Sequence, residues 1–202
     1  DCPPPMSSGL NLAQLQAVHY TDGACLVLAG AGSGKTRVIT HKIAHLIGRG
    51  MAPKAIAAIT FTNKAAAEMR ERAKQLIGRA AKDVLICTFH SLGVRLMRED
   101  GKLLGLKPQF SILDSDDVTG IIKDAAGGTA DAATARQWQW TISLWKNMGL
   151  NAEQALAQAQ DDNERSIAVT MARYEERLAA YQSVDFDDLI GLPLKLLRDF
   201  PE

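Results

Sequence analysis

An α/β fold is what this 202-residue sequence predicts: a parallel sheet flanked by helices up to about residue 90, followed by a largely helical part. Three observations predict it. Short apolar runs alternate with segments of helical period in the first 90 residues. A glycine-rich loop stands between the first of those runs and the helix after it. Beyond residue 90 strand-like runs almost vanish.

The first segment, Leu12 to Tyr20, has apolar residues at helical spacing and predicts an amphipathic helix beside the sheet. Ala24-Cys25-Leu26-Val27-Leu28-Ala29 reads as a buried strand, as do Ile56 to Phe61 and Val84 to Thr88. Helical stretches, Thr36 to Ile47 and Asn63 to Ile77, separate them. Strand, helix, strand, helix, strand implies right-handed crossovers and a parallel sheet covered on both faces. Farther along, Phe110-Ser111-Ile112-Leu113 is the one short strand-like run. Asp114 to Asp117 supply cap chemistry for a helix running to Ala126, and Gly127-Gly128-Thr129 breaks it. Further helices fit residues 131–148, 152–160 and 162–182, with Asn151 as a cap.

Composition narrows the class. The chain is 47% hydrophobic and 23% charged, which fits a folded domain and excludes a low-complexity or disulfide-framework protein. No apolar run approaches the roughly 18 residues of a membrane span, so no membrane partner is expected. Cys2, Cys25 and Cys87 are odd in number and form no C-x-x-C pair, so reduced thiols and a cytoplasmic chain are expected, with no structural zinc. Residues 1–8 read as a disordered leader or tag remnant, with Met6 nearer a natural start than Asp1. The formal net charge is zero, but residues 1–110 hold 15 Lys and Arg against 7 acids, and the rest hold 8 against 16. The first half suits a polyanion.

The chemistry-bearing segment is Ala29-Gly30-Ala31-Gly32-Ser33-Gly34-Lys35-Thr36. It fits the P-loop pattern with Ala in the first position, after a strand-like run and before a helix. Small residues let successive N–H groups turn toward a β-phosphate, and the following helix adds the positive end of its dipole. Lys35 is placed to reach β- and γ-phosphates, and the Thr36 hydroxyl to ligate Mg²⁺ through the nucleotide. ATP and Mg²⁺ are therefore the expected cofactors, with Lys35 and Thr36 as the catalytic residues. Hydrolysis needs more. No Asp-Glu dipeptide occurs, and neither later strand-like run ends in an acid. The catalytic half is expected from elsewhere, in a longer chain or a partner.

These residues resemble the N-terminal part of UvrD/Rep/PcrA-type helicases of superfamily 1, with the Rep branch as the nearest fit. Leu10 to Val18 is similar to the Q motif, and Gln14 takes the place of the Gln that reads the adenine edge. Ala29 to Arg37 is similar to motif I, whose Arg lies against the adenine. Ala58 to Met69 resembles motif Ia and Thr88-Phe89-His90-Ser91 motif Ib. Val184 to Leu189 resembles the segment before motif II, and motif II and all later motifs are absent. The resemblance covers residues 9 to 202. It implies a P-loop NTPase fold, a partial RecA-like parallel sheet with flanking helices plus an all-helical inserted subdomain. Residues 9–90 would be the incomplete ATP-binding part, 1A, and residues 91–202 the mainly helical 1B. It also implies an ATP-driven helicase moving 3′ to 5′ in replication or repair, with single-stranded DNA, the single/double-strand junction and the remaining helicase domains as partners.

Side-chain chemistry points to the same partner. Phe61 and Phe89 stand at the C-terminal ends of predicted parallel strands, where such sheets bind ligands, and an aromatic ring there can stack on any base. Thr62, Asn63 and the helix start behind them suit a backbone phosphate, with Lys64 adding charge. His90 suits a sugar or phosphate. Burial of both Phe rings in the core is the alternative. His41 and His45 have metal-pair spacing, but Lys42 stands where a zincin has Glu and no third ligand is evident. Trp138, Ile142 and Trp145 share a helical face, so core outweighs base stacking for the tryptophans. Asp185, Asp187 and Asp188 read as an acidic helix N-terminus before a metal site. Two rival functions stay open, a small-molecule phosphotransferase and a non-catalytic nucleotide-gated DNA-binding module.

Overall fold

The computed structural model describes residues 9–202, so the leader expected over residues 1–8 lies outside the described residues. The chain divides into two compact units, one closing at Phe89 and the other opening at His90. Both are mixed α/β, each with one small parallel sheet.

In the first unit, α1 (Leu12–His19) starts where Asn11 and Gln14 satisfy each other's backbone N–H groups, at 2.9 and 2.8 Å. The helix α2 (Lys35–Gly48) follows the glycine-rich loop. It holds α1 through Lys42, whose Nζ donates to the carbonyls of Ala17 at 3.0 Å and Tyr20 at 2.6 Å. Strands β1 (Ala57–Thr60) and β2 (Leu85–Thr88) pair in parallel, from Ala57 opposite Leu85 to Thr60 opposite Thr88. Between them in sequence runs α3 (Asn63–Ile77), capped by the Thr62 hydroxyl, which accepts from the Ala65 N–H at 3.0 Å. Ile43 of α2, Ala58 and Ile86 of the strands, and Met69 and Ala73 of α3 close one core.

One predicted strand is missing. Residues 24–29 take no strand geometry, and Leu26 and Leu28 are 84% and 88% exposed. A strand exists through the N–H and C=O groups of its neighbours. Among the described residues β1 pairs with β2 alone, and nothing pairs with 24–29. Apolar content was enough to suggest a strand there but does not make one.

The second unit contains most of α4 (Phe89–Asp100), then β3 (Ser111–Ile112), α5 (Ser115–Ala125), α6 (Ala132–Asn147), α7 (Ala152–Gln158), α8 (Asp162–Ala180), β4 (Ser183–Val184) and α9 (Asp188–Asp199). It is not all-helical as expected, because β3 and β4 pair in parallel. Phe110, just before β3, and Val184, within β4, are buried with Met97, Leu106 and Leu189, so the core holds both segments extended. Asp131, Asn151 and Asp161 cap α6, α7 and α8 with their side chains, and Asp114 caps α5. Ile122, Ala135, Ile142, Ile167, Met171 and Tyr174 lie at the centre of the helical core. Trp138 and Trp145 pack against it while Trp140 is 80% exposed. Helices α4 and α9 approach closely at Gly93, where any Cβ would fall on the Leu189 carbonyl oxygen.

No described helix is long and apolar enough to cross a membrane.

Candidate functional site

The loop before α2 is shaped by two glycines in the left-handed region, Gly32 at φ +73° and Gly34 at φ +79°. A side chain at either would be strained. The Ser33 hydroxyl donates to the Gly30 carbonyl at 2.6 Å and the Ser33 N–H reaches the same oxygen at 3.3 Å, which closes the loop into a tight turn. Lys35 folds back over it, its Nζ donating to the carbonyls of Gly30 at 2.7 Å and Ala29 at 3.2 Å. Thr36 follows in the first turn of α2, which contains no acid.

Gln14 reaches this loop from α1. Its Nε2 donates to the Ser33 carbonyl at 2.9 Å while its Oε1 still caps Asn11. The guanidinium of Arg37 lies against Gly9, where a Cβ would collide with it. Gln14, Leu28, Gly30, Ser33 and Lys35 are among the residues lining a hollow of about 340 Å³. Ala29, Gly30, Ala31, Gly32, Ser33, Gly34, Lys35, Thr36 and Arg37 thus lie along one continuous stretch, and Gln14 ties α1 to it. One ammonium, a helix N-terminus and a loop without side-chain bulk suit a polyphosphate anion.

Two aromatic rings stand at the end of the sheet in the same unit. Phe61 follows β1 directly and is 86% exposed, so burial in the core does not describe it. Phe89 begins α4 immediately after β2, and its ring centroid lies 5.5 Å from that of Phe61 at 43°. The parallel register makes them neighbours, since Thr60 and Thr88 are paired. Thr62 caps α3 with a lone pair, which leaves its O–H to donate; Asn63 opens that helix, and Lys64 beside it is exposed.

His90 opens the second unit, and its ring stacks on Phe186 with centroids 4.0 Å apart at 22°. The sequence reading passed over Phe186. Its signal was an aromatic flanked by acids on both sides, a poor environment for a core residue. Also missed was the bond network behind it. Lys146 Nζ lies 2.6 Å from Asp185 and 2.8 Å from Asp188, and the Tyr174 hydroxyl donates to Asp185 at 2.8 Å. These acids were expected to serve a helix N-terminus, and Asp185 does accept from the Asp188 N–H at 2.9 Å.

Burial opposes the Lys146 charge, but two carboxylates outweigh it and raise its pKa. Burial also pushes the Asp185 carboxyl up, yet Lys146 and the Tyr174 hydroxyl bring it below the ordinary range. Asp188 gives way instead: burial carries it up to about 6, helped by the Asp185 charge and opposed by Lys146. Elsewhere His41 bonds the Arg37 carbonyl through Nδ1 at 2.8 Å, and His45 packs on the ring of His19 at 4.7 Å.

Comparison with known proteins places the sequence in a family. The sequence profile of the UvrD/REP helicase N-terminal domain matches residues 10–202. The chain is 47% identical over 193 residues to the ATP-dependent DNA helicase Rep of Escherichia coli strain K12, covering 94% of this chain and 29% of that protein. It is 46% identical to Rep of Salmonella typhimurium over 193 residues, with the same coverage of 94% and 29%. Against the ATP-dependent DNA helicase PcrA of Bacillus subtilis strain 168 it is 44% identical over 200 residues, covering 96% of this chain and 27% of that protein. The chain therefore spans less than a third of the length of these curated relatives.

Proposed function

We propose, given that this chain belongs to the UvrD/REP helicase N-terminal domain family, that it is the nucleotide-binding and strand-binding part of an ATP-driven DNA helicase moving 3′ to 5′. The observation that carries the reading is that one small unit holds both halves of such a function. A loop and helix start fit for a triphosphate and an exposed aromatic pair at the sheet's C-terminal end share it.

In this reading the fold of the first unit is a partial P-loop NTPase of RecA type, and the second unit is the inserted 1B subdomain. The remaining helicase domains of the parent supply the acid of motif II and the neighbours that residues 24–29 lack here. Lys35 would exchange its bonds to the carbonyls of Ala29 and Gly30 for β- and γ-phosphate oxygens, and the Thr36 hydroxyl would hold Mg²⁺. Bound Mg²⁺-ATP supplies the reactive phosphoanhydride. The chain's own residues bind and orient it. Gln14 presents its second N–H and second lone pair to the adenine edge without breaking the bonds it has, and Arg37 covers the base.

Phe61 and Phe89 stack on bases of a single strand near its junction with duplex DNA, and Thr62, Asn63 and Lys64 take the adjacent phosphate. His90, backed by Phe186, offers a sugar or phosphate contact of its own. Stacking ignores base identity, as an enzyme travelling along any sequence requires.

Titrating single-stranded DNA and a fluorescent ATP analogue against the chain tests this. Binding of both supports it. Nucleotide binding with no response to DNA would point to a phosphotransferase instead.

A further inference from the structure

An exposed aromatic ring raises the question of what orients it. Phe186 is 61% exposed, so packing does not hold its ring against His90. The backbone on either side of it is held instead. Asp185 and Asp188 accept each other's backbone N–H groups, at 2.9 and 3.1 Å, which closes a tight turn around Phe186 and Asp187. Two consecutive residues of α6 then grip that turn. Lys146 bonds both Asp185 and Asp188, and Asn147 Nδ2 donates to Asp187 at 3.2 Å.

The grip is built to stay. Lys146 and Asp185 are both nearly buried, with 12% and 7% of their side chains exposed. The Tyr174 hydroxyl fixes Asp185 from the core side, and the Lys146 ammonium lies 5.8 Å from the centre of that tyrosine ring. Glu175 lies near enough to feel the same ammonium, and Lys146 holds its charge in this company. Hydrophobic residues of similar volume are often as stabilising as a buried ion pair, or more so. What the charged arrangement adds is direction, because it fixes where the turn points.

We propose that Lys146 is a positioning residue for nucleic-acid binding: through Asp185 and Asp188 it sets the turn that presents the Phe186–His90 stack to a base. This rests on the DNA reading given above. A pre-oriented ring loses less freedom when a base stacks on it, so affinity depends on the clamp as well as on the ring.

The test is a cycle of Lys146→Met and Phe186→Ala, singly and together, with Ile167→Ala as a buried variant outside the clamp. In the 202-residue chain, nuclear magnetic resonance reads the ring-current shift that Phe186 imposes on the His90 ring protons. In the full-length parent, fluorescence anisotropy reads affinity for a single-stranded oligonucleotide. Lys146→Met is expected to move the His90 signals to their positions in Phe186→Ala and to lower DNA affinity about 5- to 150-fold, with no further loss in the double variant. Ile167→Ala leaves the His90 signals in place.

Unchanged His90 signals in Lys146→Met, additive losses in the cycle, or the same signal movement in Ile167→Ala would overturn the proposal. Should Lys146→Met fail to fold with two carboxylates left unpaired, Lys146→Met with Asp185→Asn and Asp188→Asn removes all three charges and is judged by the same criteria. If Phe186→Ala and His90→Ala both leave DNA affinity unchanged while Phe61→Ala lowers it, the DNA reading stands and the positioning role for DNA is overturned; if Phe61→Ala also leaves it unchanged, the DNA reading itself fails. The His90 shift still decides whether Lys146 orients the pair.

Discussion

Replacing Phe61 with alanine separates a binding role from a structural one. The ring is 86% exposed, and its one ring partner among the described residues is Phe89, 5.5 Å away at an open edge. Removing it therefore leaves no cavity. An aromatic pair is worth about 0.5–1.5 kcal/mol, toward the lower figure when solvated. At about 2–4 °C per kcal/mol for a chain of this size, the melting temperature should fall by roughly 1–3 °C. Phe110, only 3% exposed, is the contrast: truncation there creates a cavity and costs about 3–5 kcal/mol. For DNA the order reverses. Losing one stacked base costs about 1–3 kcal/mol, or about 5- to 150-fold in affinity, nearly independent of base sequence. Calorimetry gives the first quantity, and anisotropy with poly-dT and mixed-sequence oligonucleotides in the full-length parent gives the second. Unchanged DNA affinity, or a melting temperature that drops as far as in Phe110→Ala, would refute the reasoning.

Lys35→Ala should weaken binding of an ATP analogue by about 10- to 150-fold, the value of a charge-assisted hydrogen bond, while DNA is still bound without nucleotide; equilibrium titration of both ligands measures it. Gly93→Ala should destabilise the chain by about 1–3 kcal/mol, because its Cβ meets the backbone carbonyl of Leu189 and α4 and α9 must separate; urea melts would show a lowered midpoint. Asp188 should make stability fall as pH rises. Its folded pKa, about 6, stands above the ordinary 3.8, so the folded chain holds more protons than the unfolded one between about pH 4 and 6 and loses that advantage on ionisation. Relative to wild type, Asp188→Asn should gain stability as pH rises from 4 to 7, read from denaturant melts at the two pH values. A constant difference between the two proteins would count against it.

The glycine-rich loop was legible because its chemistry is local: left-handed glycines, a lysine and a helix start stand within a few residues of one another. The α3 start was legible for the same reason, with Thr62 as its cap. Strand 24–29 was misread because apolar content reports a tendency to be covered, and only neighbours elsewhere in the fold provide the cover. The β3–β4 pairing and the Lys146 clamp were hidden by distance along the chain. Lys146 and Asp185 come from different elements, and neither residue shows by itself that it meets the other. Phe186 illustrates the cost of reading composition alone. Three acids around it suggested a helix start, and the aromatic among them went unweighed.

Parallel pairing has a last consequence, for which sequence changes the first unit tolerates. Phe61 and Phe89 are neighbours because each is the next residue after a paired threonine, Thr60 or Thr88. The number of residues between them plays no part. Related chains can therefore lengthen or shorten the connection after α3 freely and keep the two rings together. A single residue inserted within Leu85–Thr88 does the opposite. Side chains alternate along a strand, so the insertion turns Phe89 to the other face and separates the rings without altering either one. In an alignment of such chains, gaps would gather between the two strands and be missing from within them.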